Sequence, residues 1–160
     1  MNEEAKREGL DAELDGVIYN VFITRQLNLR DAEDQGYRAG TEAPPGFVLY
    51  GVFIQACNRE EKEPRKTAAS FVVTDTQGNE YEPRELEEDN TFAYHPRELG
   101  KGDCIPEADS LAASGPTAGS LLVFELPLEA VENRPLELEI VGGYDLTERK
   151  QRTTKIELDI

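Results

Sequence analysis

The sequence lacks the features that mark membrane-spanning and metal-centred proteins. No stretch approaches the run of about 18 apolar residues that a transmembrane helix needs. The chain has one histidine, His95, and two cysteines, Cys57 and Cys104. Two cysteines without CxxC spacing and a lone histidine cannot form a zinc site by themselves. We therefore expect no metal and no cofactor.

Basic residues are also scarce. The 160 residues include 17 Lys and Arg against 33 Asp and Glu, which gives a net charge of −16. Nucleic acids and anionic lipids are bound by clustered Lys and Arg, so we expect no nucleic-acid partner and no direct membrane contact. The acidity favours solubility, or attraction of cations and basic partners.

Catalytic patterns are missing too. There is no Gly-x-Ser-x-Gly elbow, and no second histidine stands at metal-ligand spacing from His95. The Gly-rich segment 114–120 precedes a predicted strand and lacks the Gly-Lys-Ser/Thr ending of a phosphate loop. We therefore expect no catalytic residue and no enzymatic activity. Phe92, Tyr94 and His95 form a possible interaction loop, although both aromatic rings are better suited to anchoring that loop in the core.

What is present is a set of extended segments. The longest is the uncharged run 47–57, which is apolar on both faces and predicts a central strand. Alternation predicts further strands at 14–24, 69–74, 80–82, 119–126 and 136–140. It also predicts that 155–160 is an edge strand or an extension that pairs only with help. On the first of these, Val17, Tyr19, Val21 and Ile23 share one face. Segment 128–133 resembles a short turn or helical step, and Gly142-Gly143 is expected to end the strand at 136–140.

Turns and loops separate these strands. Residues 75–79 predict a tight hairpin turn, with Gly78 at positive φ. Residues 28–46 form a loop, and residues 83–118 form a long irregular segment. We expect segment 83–118 to lie over the second apolar face of strand 47–57, with a Cys57–Cys104 disulfide as the staple. A partner subunit as the cover, and two reduced thiols, remain the alternatives.

The profile is that of an all-β, two-sheet antiparallel sandwich. Residues 1–13 are charged and are expected to form a linker or a frayed helix, with a single domain over 14–160. The segment at 1–9 lacks the apolar core of a signal peptide, which leaves a cytosolic protein or part of a longer exported one.

Four patterns carry a family resemblance. They are Tyr50 to Asn58, Asp75-x-x-Gly78-x-x-Tyr81, Gly119-x-Leu121-Leu122-Val123-Phe124-x-Leu126-Pro127, and Leu136-x-Leu138-x-Ile140. Together they resemble a family of bacterial extracytoplasmic domains of unknown function with an immunoglobulin-like β-sandwich, often lipoproteins or membrane-tethered. The resemblance covers about residues 14–141 and carries no catalytic motif. The cysteine pair and the extra strand within 150–160 depart from the family pattern.

The resemblance implies export and tethering through an anchor outside this sequence. We therefore expect a non-enzymatic binding module of the cell envelope, which uses segment 83–118 or the edge of the last strand to bind a protein or small ligand. The alternative is a small-molecule or calcium-binding domain. Its site would be the Phe92–Tyr94 region or the acidic loops, whose carboxylates are Asp31, Glu33, Asp34, Glu85, Glu87, Glu88 and Asp89.

Overall fold

The computed structural model describes residues 5–59, 62–114 and 118–159, and strands are the main regular secondary structure among them. The strands are β1 (Lys6–Arg7), β2 (Ala12–Leu14), β3 (Val17–Leu27), β4 (Phe47–Cys57), β5 (Arg65–Lys66), β6 (Ser70–Thr74), β7 (Glu80–Tyr81), β8 (Glu98–Leu99), β9 (Cys104–Ile105), β10 (Ser120–Pro127), β11 (Glu137–Asp145) and β12 (Lys150–Glu157). Three short helices are α1 (Ala32–Gln35), α2 (Leu111–Ser114) and α3 (Leu128–Glu132).

Two five-stranded sheets form the sandwich. The first sheet has the order β1-β12-β11-β6-β7, and the second has the order β10-β4-β3-β2 with β9 also paired to β4. A separate ladder joins β5 to β8. The strand pairs of the two large sheets are antiparallel, except that β1 runs parallel to β12. The predicted all-β sandwich is confirmed.

Strand β4 is central, with the bounds that the sequence predicted. It pairs with β3 along one side and with β10 along the other. Val52, Ile54 and Ala56 enter the core between the sheets. Leu49 and Phe53 belong to a second apolar cluster on the opposite face. Both faces of β4 are therefore covered, as an uncharged strand requires, because water would otherwise contact either apolar face.

The cover of that second face differs from the prediction. It comes mainly from segment 28–46, where Ala39 is buried and the Tyr37 ring lies 5.3 Å from the Phe53 ring. From the predicted cover, segment 83–118, Leu86 packs against this cluster. Segment 28–46 directly joins β3 to β4, so closing it over the adjacent face costs little chain entropy.

The rest of segment 83–118 is more ordered than expected. It contains β8, β9 and α2. Its residues Tyr94, Leu99 and Ile105 are buried in the core between the sheets. The segment therefore fills the side of the sandwich, while the second face of β4 is left mainly to segment 28–46.

The linker or frayed helix predicted over 1–13 is wrong for the described residues 5–13. Lys6–Arg7 pairs with β12, and Ala12–Leu14 pairs with β3. Ala12 and Leu14 are buried in the main core. A strand this short carries no detectable alternation, so its partners, rather than its own sequence, determine its conformation. Residues 1–4 lie outside the described part.

A β-bulge changes the predicted faces of β3. Val17, Tyr19 and Val21 are buried together as expected. The register shifts between Val21 and Ile23, and Ile23 is 37% exposed. An extra residue in one strand reverses the alternation that follows it, and for this reason the prediction for Ile23 is wrong.

The C-terminal strands are longer than predicted. Gly142 and Gly143 do not end β11, which continues to Asp145 through a register shift between Val141 and Tyr144. Strand β12 begins at Lys150 and lies between β11 and β1, so the edge position expected for 155–160 is wrong over the described part. Strand β11 pairs with β12 on both sides of the two glycines, so the strand continues past them. Glycine predicts a strand end only when its local preference is considered alone.

Predictions that rest on short local sequence signals agree with the structure. The hairpin between β6 and β7 is present, and Gly78 has a φ of +84°. The buried Asp75 carboxylate accepts hydrogen bonds from the N–H groups of Gln77 and Asn79, both at 2.9 Å. The helical step at 128–133 corresponds to α3.

Candidate functional site

The two cysteines form a disulfide. Cys57 ends β4 and pairs directly with Cys104 of β9, with 4.1 Å between their Cα atoms. The bond therefore fastens segment 83–118 to the central strand, as the sequence predicted. Because β4 is held on both sides by other strands, this staple has a rigid base.

The possible interaction loop is mostly an anchor. Tyr94 is 8% exposed, donates its hydroxyl proton to the Ala68 carbonyl at 2.7 Å, and contacts the Phe71 ring edge-on at 5.0 Å. Burial raises the pKa of the Tyr94 hydroxyl well above its usual range. Half-buried Phe92 packs edge-on against Tyr37. His95 is also half-buried, and its Nε2 lies 3.0 Å from the Asn90 carbonyl oxygen.

Three carboxylates of the acidic loops, those of Asp34, Glu87 and Asp89, lie in ion pairs with arginines. Asp34 is buried and lies 2.6 Å from the Arg25 guanidinium, and it also accepts a bond from the Asn28 N–H at 2.7 Å. Burial alone would raise the pKa of Asp34, but these bonds outweigh it and lower the pKa. Arg38 bonds the carboxylates of Glu87 and Asp89. Within residues 5–59, 62–114 and 118–159, no three metal-binding side chains are grouped to hold an ion.

A groove of about 570 Å³ opens at the side of the sandwich, beside Tyr94. One wall is β6 and the other is the segment that follows β7. Phe71 and Tyr94 line it together with Leu121 and Leu122 of β10, and all four are buried by the surrounding chain. The groove therefore has an apolar floor between the edges of the two sheets.

Within the described residues, the groove side of β6 has no paired strand over residues 70–72, although Phe71 as a whole is only 3% exposed. Strand β7 pairs only with Val73 and Thr74, so the edge of β6 over residues 70–72 lies beyond the last β7 partner, Tyr81. The Asp75 N–H donates to the Asn79 carbonyl across the hairpin. Since alternate residues point their backbone groups to the same side, the N–H and C=O of Phe71 also face that side. If β7 continued in the same register, Pro83 would lie opposite Phe71, and Pro83 has no N–H to donate.

The rim of the groove is acidic. Glu82, Glu85 and Glu88 line it and are exposed. Arg84 also lines it, but its guanidinium bonds the Glu125 carboxylate at 2.6 Å and two backbone carbonyls. The uncompensated charge at the rim is therefore negative, in keeping with the acidity of the whole chain.

The sequence predictions reached only part of this groove. Tyr94 of the possible interaction loop and Glu85 and Glu88 of the acidic loops were among the predicted candidates, but the unpaired edge of β6 was not. A signal was present in the sequence: Pro83 follows two residues after Tyr81, which limits how far the returning strand of the hairpin can pair.

No protein-family model matches this sequence, and no curated protein matches it. Among solved structures, the fold is similar to that of the yjhA protein from Bacillus subtilis, with a TM-score of 0.58, 10% identity, and coverage of 96% of this chain and 99% of that chain. An uncharacterised beta-sandwich protein from Clostridium difficile 630 has a TM-score of 0.48 and 11% identity, with 99% of both chains covered. The similarity to the Bacillus subtilis protein, at 10% identity, extends to the fold alone. In the described ranges, no helix is long and apolar enough to span a bilayer.

Proposed function

We propose that this chain is a non-enzymatic, extracytoplasmic binding module of the cell envelope that holds an extended peptide along the open edge of β6. The observation that carries the proposal is the backbone of Phe71, which faces a groove beyond the last β7 pair. An exposed strand edge offers a row of backbone donors and acceptors to an added strand. Main-chain hydrogen bonds then supply affinity, and pockets for alternate side chains supply specificity.

The lining of the groove indicates the chemistry of the peptide. Its floor of Tyr94, Leu121 and Leu122 suits apolar side chains. Its rim of glutamates suits Lys and Arg. Side chains of an added strand alternate between two faces, so a segment that alternates apolar and basic residues fits both surfaces at once.

The disulfide supports the extracytoplasmic part of the proposal. Structural disulfides persist in oxidising compartments and are rare in the reducing cytosol. The Cys57–Cys104 bond joins two strands that are already paired, as a structural bridge does. The resemblance to exported domains points to the same compartment.

A second candidate is a small-molecule site in the same groove. The volume of about 570 Å³ falls within the range of about 300–1,000 Å³ that is usual for ligand pockets. A small apolar ligand would occupy the floor against Tyr94 without needing the β6 backbone. The two candidates therefore differ in whether the ligand forms a hydrogen bond with the Phe71 backbone.

The test uses a fluorescein-labelled octapeptide of alternating Lys and Val, measured by anisotropy. We expect it to bind, and to bind far better than its Glu-Val counterpart. A Glu85→Lys/Glu88→Lys variant should bind about five- to thirtyfold more weakly, since each reversal costs about 0.5–1 kcal/mol at an exposed rim. The matched control is Glu33→Lys/Glu129→Lys, which adds the same charge at exposed positions outside the groove.

Backbone pairing has its own readout. Proline at a central position of the peptide should abolish binding, because it removes a ladder donor. Hydrogen exchange at the Phe71 amide should slow when the peptide binds. If proline is tolerated and the Phe71 amide exchanges at the same rate, strand addition is wrong, and binding of a small molecule in the groove becomes the better account.

A further inference from the structure

The chain changes from one sheet to the other directly after β7, and the groove lies at this crossing. Tyr81 is the last residue of β7 that pairs with β6, where it lies opposite Val73. Three residues later, the Arg84 N–H donates to the Val123 carbonyl of β10 at 2.7 Å. Strand β7 is at the edge of the first sheet, and β10 is at the edge of the second. The crossing therefore leaves residues 70–72 of β6 without a strand partner among the described residues.

Pro83 stands where the next pair of the β6–β7 ladder would form. In the register of the hairpin, it would lie opposite Phe71. The two residues of a hydrogen-bonded antiparallel pair exchange two N–H···O=C bonds, and proline lacks the N–H for one of them. Continuing β7 along β6 by this pair would therefore gain one hydrogen bond instead of two.

Arg84 holds the departing chain on the second sheet. Its guanidinium bonds the Glu125 carboxylate at 2.6 Å and the Ala39 and Thr41 carbonyls at 3.1 and 2.5 Å. Glu125 belongs to β10, and the two carbonyls belong to segment 28–46, which covers β4. The Arg84 side chain is only 18% exposed, so water weakens these bonds little. The wall of the groove is therefore fastened to the second sheet and to its cover.

An apolar contact follows two residues later. Leu86 packs against the cluster that contains Leu49 and Phe53 of β4. Over residues 84–86, a backbone hydrogen bond, a guanidinium group and an apolar side chain thus all join the wall to the second sheet or its cover. Together they fix the position of the wall away from the β6 edge.

We propose that Pro83 and Arg84 are positioning residues of the peptide site, because together they prevent the chain from continuing β7 along β6. Pro83 withholds a donor, and Arg84 holds the residues that follow. A continued β7 would occupy the side of β6 where the peptide binds, so segment 82–85 is the competitor that these two residues exclude. The expected effect on peptide affinity rests on the proposed function, whereas the unpaired edge can be tested without a peptide.

The first measurement is hydrogen exchange of the ¹⁵N-labelled protein without peptide. In Pro83→Val/Arg84→Gln both obstacles are gone, so β7 should continue and slow exchange at the Phe71 amide about tenfold or more. Pro83→Val alone and Arg84→Gln alone each keep one obstacle, so the rate should stay within about threefold of wild type. The matched control is Pro45→Val/Arg30→Gln, which makes the same changes at exposed positions outside the groove and should leave the rate unchanged.

Exchange at the Leu138 amide shows whether a variant is folded, because Leu138 is buried in the core between the sheets. If Pro83→Val/Arg84→Gln does not fold, Pro83→Val/Glu125→Gln takes its place. It loosens the Arg84 clamp from the β10 side, so exchange at the Phe71 amide should slow in the same way. The inference is overturned if the Phe71 amide of a folded double variant exchanges at the wild-type rate.

Peptide affinity is the second measurement. A continued β7 leaves only a fraction of the molecules able to bind, so the double variant should bind the Lys-Val octapeptide about tenfold or more weakly than wild type. Equal affinity in a variant whose Phe71 amide has slowed would also overturn the inference. If that amide slows but the wild-type protein does not bind the octapeptide, the role of Pro83 and Arg84 stands and the peptide proposal is wrong.

Discussion

Reduction of the Cys57–Cys104 bond should cost a large share of the protein's stability. The bond joins residues 47 positions apart. In the chain-entropy model, opening a loop of that length raises the entropy of the unfolded chain and lowers the free energy of unfolding by about 4 kcal/mol. A single domain is usually stable by only about 5–15 kcal/mol. For a chain of this size, the loss corresponds to a fall in Tm of about 8–16 °C.

The experiment is urea unfolding followed by circular dichroism, on the oxidised protein, the reduced protein and a Cys57→Ala/Cys104→Ala variant. The free energy of unfolding should fall by about 4 kcal/mol in both forms that lack the disulfide, the reduced protein and the double variant. Reductant should have no further effect on the double variant, which controls for the reagent itself. A loss below about 1 kcal/mol on reduction would refute the reasoning, because it would mean that the unfolded loop gains almost no freedom when the bond is opened.

Three further perturbations probe individual contacts. Asp34→Asn should destabilise the protein at neutral pH. Since the pKa of Asp34 is lowered in the folded state, its contribution is complete above about pH 4–5, and the difference from wild type should shrink as pH falls below about 4 in acid titrations of unfolding. Tyr94→Phe keeps the ring but leaves the buried Ala68 carbonyl without its donor, so chemical denaturation should show a loss of about 1–3 kcal/mol. A Cβ added at Gly142 would lie 2.5 Å from an Asp15 carboxylate oxygen, so Gly142→Ala should cost about 1–3 kcal/mol in thermal unfolding, whereas an unchanged Tm would contradict the close approach.

Elements with strong local signals could be predicted from the sequence. Strand β4 was predicted with its bounds because an uncharged run lies between Pro44-Pro45-Gly46 and Asn58. The hairpin at Asp75 was predicted because its turn chemistry lies within a few residues. In both cases the physical cause is contained in the segment itself.

Elements fixed by distant partners could not be predicted in the same way. The continuation of β11 through Gly142 and Gly143 depends on pairing with β12. The exposure of Ile23, which was predicted on the buried face, depends on a bulge against β4. Contacts between the two sheets show the same limit. Asp15, Gly143 and Arg152 are widely spaced along the chain, and only the packing of the sheets brings them together.

The parallel pairing of β1 with β12 has a mechanical consequence. Lys6 and Arg7 lie beside Ile156 and Glu157, so the first and last described strands are direct neighbours and run in the same direction. A load that pulls the two ends of the described chain apart slides one strand lengthwise against the other, and the hydrogen bonds between them must rupture together. The same bonds would open one at a time if the strands ran in opposite directions. The fold therefore places a shear-loaded junction where tension along the chain would first be felt.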